Sequence, residues 1–152
     1  MSLRGGRFTL RAVGEAIRPF GVTMRDPDRD STEVLGRLRD ICGRLPEVTE
    51  RQSHGAPTWF VRGKSSFLTY WGSGHHQDDF PHLWCAAPPG AQEELVGTEP
   101  ERFFRPPYVG HRGWLGVRLD VDLDWDELAA ICEDAYRTVA PKSLVARLDE
   151  GA

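Results

Sequence analysis

The stretch from Phe103 to Asp120, FFRPPYVGHRGWLGVRLD, constrains this chain more than any other. Pro106-Pro107 breaks any helix through its middle, and Gly110 and Gly113 allow a corner. After the corner the residues alternate strictly: Leu115, Val117 and Leu119 share one face of a strand, and Trp114, Gly116 and Arg118 share the other. The stretch carries Arg105, Arg112 and Arg118, and its only acid is the closing Asp120. It runs directly into an acidic segment, Asp120 to Glu127, that opens a helix. A basic, aromatic sheet set against acidic helices is the contrast that organises the chain.

The rest of the pattern supplies the partners of that strand. Asp30 reads as an N-cap with Glu33 as its capping-box residue, and Val34, Leu35, Leu38, Ile41 and Leu45 form an amphipathic stripe that ends before Pro46. Residues 50–54, 58–61 and 64–71 read as strands, the last two joined by a tight hairpin at Arg62-Gly63. A polar loop over 72–81 leads to a strand at 82–87. A short helix follows over 91–97, then a further turn of helix over 100–104 and the strand at 114–120. Asp124 caps the clearest helix, 124–140, whose first turn holds Asp126 and Glu127 and whose core face is Leu128, Ile131, Ala135 and Val139. Pro141 suits the first position of a final helix carrying Leu144, Val145 and Leu148. One helix, mostly strands, then two helices predicts an α+β domain. Its antiparallel sheet has about five strands, with the N-terminal helix and two C-terminal helices packed on one face.

The length, 152 residues, suits a single domain. Its net charge of −4 is uneven: residues 1–25 carry five Arg and one Glu, whereas residues 26–152 carry an excess of acids. Residues 1–25 therefore read as an appended segment, with Leu10, Val13 and Ile17 on one helical face over 8–20, ahead of a domain at 26–152. No apolar run approaches the ~20 residues of a membrane span. Cys42, Cys85 and Cys132 are odd in number, well separated and form no CxxC, as expected of reduced, buried thiols in a cytoplasmic protein.

Leu45-Pro46-Glu47-Val48, His54-Gly55-Ala56-Pro57 with Phe60, Val61, Gly63 and Lys64, and Phe103-Phe104 recur here in a particular order. They are followed by Pro107-Tyr108 with Gly110, Trp114-Leu115 with Val117-Arg118-Leu119, and Ala140-Pro141-Lys142. In that order and spacing, across roughly 31–148, the chain resembles the MmcQ/YjbR family. The resemblance implies a CyaY-like α+β fold, similar to the double-wing domain of a phage transcription factor. DNA binding is the role usually attached to that fold likeness, and no catalytic site comes with it.

Two acid-free windows, 51–77 and 102–119, hold most of the basic and aromatic side chains of the expected sheet. Arginine beside exposed aromatics suits a phosphate backbone and unstacked bases. Arg62, Lys64, Arg105, Arg112 and Arg118 are the candidate nucleic-acid contacts, and His54, Trp59, Tyr108 and Trp114 the candidate groove residues. The competing reading makes the aromatics core and leaves the arginines lying over them or paired with helix acids. His54 in its His-Gly-Ala-Pro corner either lines the groove or bonds the backbone.

Other constellations point to solvated or structural roles. His75, His76, Asp78, Asp79 and His82 match no regular metal-site spacing. Cys85 beside His82 or His54 sits in an apolar strand, where burial disfavours a thiolate. Asp120, Asp122, Asp124, Asp126 and Glu127 lack the glycine and closing Glu of a calcium loop. Neither a phosphate-binding glycine loop nor a nucleophile elbow is present. The expectation is a non-enzymatic protein without cofactor or metal, monomeric or homodimeric, binding DNA or RNA weakly and without base specificity. The alternative is a small-ligand or protein-interaction domain using the same groove.

Overall fold

A computed structural model of the chain describes residues 27–72 and 80–151, with side chains from Thr32 onward. Two sequence features fall outside the described residues: the 8–20 segment and the His75–Asp79 cluster. Helix α1 spans Pro27–Gly43, and strands β1 (Val48–Ser53), β2 (Ala56–Val61), β3 (Ser65–Trp71) and β4 (His82–Cys85) follow. Helix α2 (Ala91–Thr98), strands β5 (Phe103–Phe104) and β6 (Leu115–Arg118), and helices α3 (Trp125–Val139) and α4 (Lys142–Gly151) complete the order. The strands form one antiparallel sheet in the order β1-β2-β3-β4-β6-β5.

Two tight turns set the register of the first three strands. His54-Gly55 joins β1 to β2 with φ of 54° and 80°, and Arg62-Gly63 joins β2 to β3 with φ of 55° and 68°. Paired positive φ values are what a type I′ hairpin turn requires. In both turns a glycine supplies the second residue.

Pairing across the sheet separates its two faces. Trp59, Leu68, Cys85 and Leu115 lie in one rung and point to the helices. The adjacent rung, Arg51, Thr58, Thr69, Trp84, Gly116 and Phe104, crosses all six strands and points the other way. A Cβ on Gly116 would overlap the Phe104 ring, so the absent side chain leaves the space that ring fills.

α1 and α3 lie over the first face. Val34, Leu38, Cys42 and Leu45 bury the α1 stripe, and Leu128, Cys132, Ala135 and Tyr136 that of α3. Fully burying side chains such as Leu38, Leu68 and Leu83 stabilises by roughly 1.5–3 kcal/mol each. The Tyr136 ring meets Phe67 edge-on at 5.7 Å and its hydroxyl donates to Pro46 O at 2.8 Å, fastening α3 to the α1–β1 corner. Asp124 caps α3, its Oδ1 accepting from the backbone of Asp126 and Glu127 at 3.0 and 3.2 Å.

Several details differ from the sequence reading. The sheet has six strands because residues 103–104 are a short edge strand, not helix, held by pairing with Val117 and Gly116. α1 begins at Pro27, which places Asp30 inside the helix instead of at its cap. Cys42, Cys132 and Tyr136 join the expected Leu38 and Ala135 as the deepest helical positions, and Leu35, Ile41, Ile131 and Val139 pack at the margin of the core. No described helix is long and apolar enough to cross a membrane.

Candidate functional site

The register places the β2–β3 turn at one end of the sheet. From the Trp59–Leu68–Cys85–Leu115 rung, β2 advances to Arg62, β4 to Ala86, β5 to Arg105, and β6 runs back to Trp114. The 105–114 corner therefore lies at this hairpin end, about 10–15 Å across the sheet from the β2–β3 turn at the usual strand spacing. The opposite end carries the His54-Gly55 turn, His82 and Arg118.

The corner is built around Tyr108. Pro106 is buried and anchors the chain. Val109 N then donates to Pro107 O at 2.6 Å across Tyr108, whose φ is 66°. That bond and that φ together define the rare γ-turn with a left-handed central residue, a strained geometry for a bulky side chain. The strain holds an aromatic ring in water: Tyr108 is 76% exposed, with its centroid 6.5 Å from the buried Trp84. A 3₁₀ turn at Gly110–Arg112 and a left-handed Gly113 lead back into β6.

One buried side chain fastens this loop. Gln92, 4% exposed, donates its amide to Gly110 O at 2.8 Å and to Trp114 O at 2.5 Å. Its Oε1 accepts from Arg105 at 3.3 Å. The Arg105 chain crosses Gly110 so closely that a Cβ there would meet Arg105 Cγ at 2.7 Å, so any larger residue would displace the Arg105 side chain.

The basic side chains fall into two groups. Arg62 is bonded to Glu47 at 2.9 Å, Arg118 to Asp120 through both guanidinium arms at 2.9 and 2.6 Å, and Arg102 to Glu99 and Glu127. Arg37, Arg39, Arg137 and Arg147 likewise meet carboxylates. Arg44, Arg51, Lys64, Arg105, Arg112 and Lys142 meet none among the described residues. Arg51 lies over the Phe60 ring at 3.7 Å and donates to Gly63 O at 3.0 Å. Arg112 lies over Trp114 at 5.2 Å. Of these, Arg51, Lys64, Arg105 and Arg112 belong to the hairpin end, Arg51 by the reach of its side chain.

Of the candidate contacts, Lys64, Arg105 and Arg112 come together there. Arg62 is beside them with its charge offset by Glu47. Arg118 is at the other end of the sheet, half-buried, over Phe80 at 3.8 Å. Of the candidate groove residues Tyr108 and His54 are exposed, and only Tyr108 lies at the hairpin end. Trp59 is 2% exposed under the helices, because its rung faces α3. Trp114 is 5% exposed beneath Arg112 and presents its backbone oxygen to Gln92. His54 is exposed in the β1–β2 turn, far along the sheet from the corner. The second face is accordingly an aromatic layer, with Trp71 and Trp84 at 4.9 Å and His82 near Phe80 and Phe104 at 5.3 and 5.6 Å. Arginine caps its margins.

Gln92 and Arg51 were not among the candidates. Arg51 sits in the first acid-free window, and only the reach of its side chain toward Gly63 singles it out. Gln92 lies next to Glu93 and Glu94 in a short helix, and its burial carries no periodic signal. The three cysteines are free thiols buried where α1 and α3 meet the sheet, with a hydrogen bond between the Cys42 and Cys132 thiols. That bond and burial push the Cys42 thiol up, and burial foremost does the same to Cys85, which disfavours a thiolate. Among the described residues no group of three His, Cys, Asp or Glu side chains is placed to hold a metal ion.

Comparison with curated proteins and with solved structures finds no match. A protein-family model described as YjbR matches residues 43–138, which contain the whole described sheet, the corner and nearly all of α3, and the chain therefore belongs to the YjbR family.

Proposed function

We propose that this YjbR-family protein is a non-enzymatic module that binds single-stranded nucleic acid across the hairpin end of its sheet. Arg51 and Lys64 flank one side of the track, Arg105 and Arg112 the other, and Tyr108 offers a stacking surface. The observation that carries this reading is Tyr108 itself: a large ring held in water by a strained backbone, between cations that no described carboxylate neutralises. Strain kept at an exposed residue is a reason to look for function there. Base–aromatic stacking tolerates any base, so the expected binding is sequence-independent. The buried aromatics on the rest of that face leave base-edge readout without side chains to perform it. Glu93 and Glu94, in the first turn of the helix that holds the corner, keep the affinity modest.

Fluorescence anisotropy on labelled single- and double-stranded oligonucleotides at low salt tests the proposal. Micromolar binding is expected, stronger for the single strand, with a log–log salt slope of about −2 to −3 for three or four phosphate contacts. Tyr108→Ala should weaken it by roughly 1–3 kcal/mol. Arg112→Ala should weaken it and flatten the slope. Absence of binding, or binding indifferent to both substitutions, would favour a small-ligand or protein partner instead.

A further inference from the structure

We infer that Gln92 is the positioning residue of this interface, and that it holds Arg105 in place while leaving its positive charge available to a phosphate. The inference rests on the proposed binding of single-stranded nucleic acid. It comes from what the arginines of this protein touch. Seven described arginines are fixed by carboxylates, which orient a guanidinium and cancel its charge together. Arg105 is oriented by a neutral amide oxygen, at 3.3 Å. The same amide's nitrogen closes the corner on Gly110 O and Trp114 O. One buried side chain thus sets both the loop that carries Tyr108 and the arginine beside it.

The chemistry of position 92 discriminates this role from ordinary core satisfaction. A glutamate there has nearly the same shape and would hold Arg105 more tightly, but as an ion pair. It also has no N–H for the two carbonyls. A methionine fills the volume, loses all three bonds and leaves Arg105 charged and loosely held. If Gln92 served only the fold, both substitutions would lower stability, and any effect on binding would be the same whatever residue stood at 105.

The test measures binding of a fluorescein-labelled oligothymidylate over a salt series by the full chain. It compares Gln92→Glu, Gln92→Met, Arg105→Ala and the double variant Gln92→Glu/Arg105→Ala, each shown folded by circular dichroism. Gln92→Glu is expected to weaken binding roughly tenfold at low salt and to flatten the slope by about 0.7, the share of one single-strand contact. Gln92→Met is expected to weaken binding with the slope unchanged. In the Arg105→Ala background the glutamate should cost clearly less and leave the slope unchanged, because only the loss of the two carbonyl bonds remains. Equal losses in both backgrounds, or binding by Gln92→Glu equal to the wild type, would overturn the inference while the binding reading stands. Failure of the wild type to bind would overturn both. Should Gln92→Glu not fold, an affinity for Gln92→Met equal to the wild type would overturn the positioning role.

Discussion

The two ends of the sheet use the same side chains to opposite effect. At the far end, Arg118 lies on the Phe80 ring and is gripped through both arms by Asp120, a carboxylate only 4% exposed. At the hairpin end, Arg112 lies on the Trp114 ring and Arg105 on an amide, with no described carboxylate on either. Guanidinium over an aromatic ring is common to both ends, and the buried acid is the difference. Arg118 is part of the fold's internal electrostatics, whereas Arg105 and Arg112 remain cations toward solvent. An acid-free window therefore overcounts available charge. The partner of Arg118 stands two residues further along the chain, just outside the window.

The difference can be broken from the far end first. Leu119 lies between Arg118 and Asp120 and is buried in the core shared with α1 and α3. Leu119→Ala should destabilise by roughly 2–5 kcal/mol, read from urea unfolding. Asp120→Asn removes the charge that answers Arg118 and should destabilise by roughly 1.5–3 kcal/mol, the range of hydrogen bonds to charged groups. The matching change at the hairpin end, Arg112→Ala, should cost less, about 0.5–1 kcal/mol for the exposed cation–π contact with Trp114, while weakening oligonucleotide binding. Comparable losses of stability from Asp120→Asn and Arg112→Ala would mean the two ends are not different in kind.

Most of the fold was legible because it rests on local rules. Alternation at 115–119, the hairpin at Arg62-Gly63, and Asp124 before an apolar stripe each specify an element by nearest-neighbour physics, whereas the equally tight His54-Gly55 turn read only as a corner. The two-residue strand 103–104 was not legible. Its pairing with β6 is non-local, and two residues show no period. The same limit applied to the site. Tyr108 stood out through its Pro-Pro and glycine neighbours, but the register that turns Trp59 under the helices is non-local, and Trp114 is buried on the opposite face beneath Arg112 by a contact that alternation does not report, so both looked as available as Tyr108. Charge pairing was the least legible feature. Glu47 reaches Arg62 across a strand pair and also Arg147, far along the chain on α4.

That last pairing gives the smallest expected effect and a way to move a residue from one class to the other. Glu47 accepts from Arg62 at 2.9 Å and from Arg147 at 3.0 Å, linking the hairpin end to α4. The Arg62 bond foremost, with Arg147 helping, holds its carboxyl below the ordinary value of 4.5. A carboxyl lowered in the folded state contributes stability that is present above the unfolded value and is lost as pH falls through the folded one. Urea midpoints measured downward from pH 7 should therefore fall less steeply in Glu47→Gln than in the wild type, the variant starting slightly lower at pH 7 and the two converging in acid. The Asp149 carboxyl, lowered by Arg137, adds a further part of the acid limb and should remain in the variant. Glu47→Gln also leaves Arg62 without its acid at the hairpin end. If charge availability separates the two ends, the variant should bind single strands more tightly at pH 7, with a salt slope steeper by about 0.7. An unchanged slope would mean that the number of unpaired cations at this end does not govern binding.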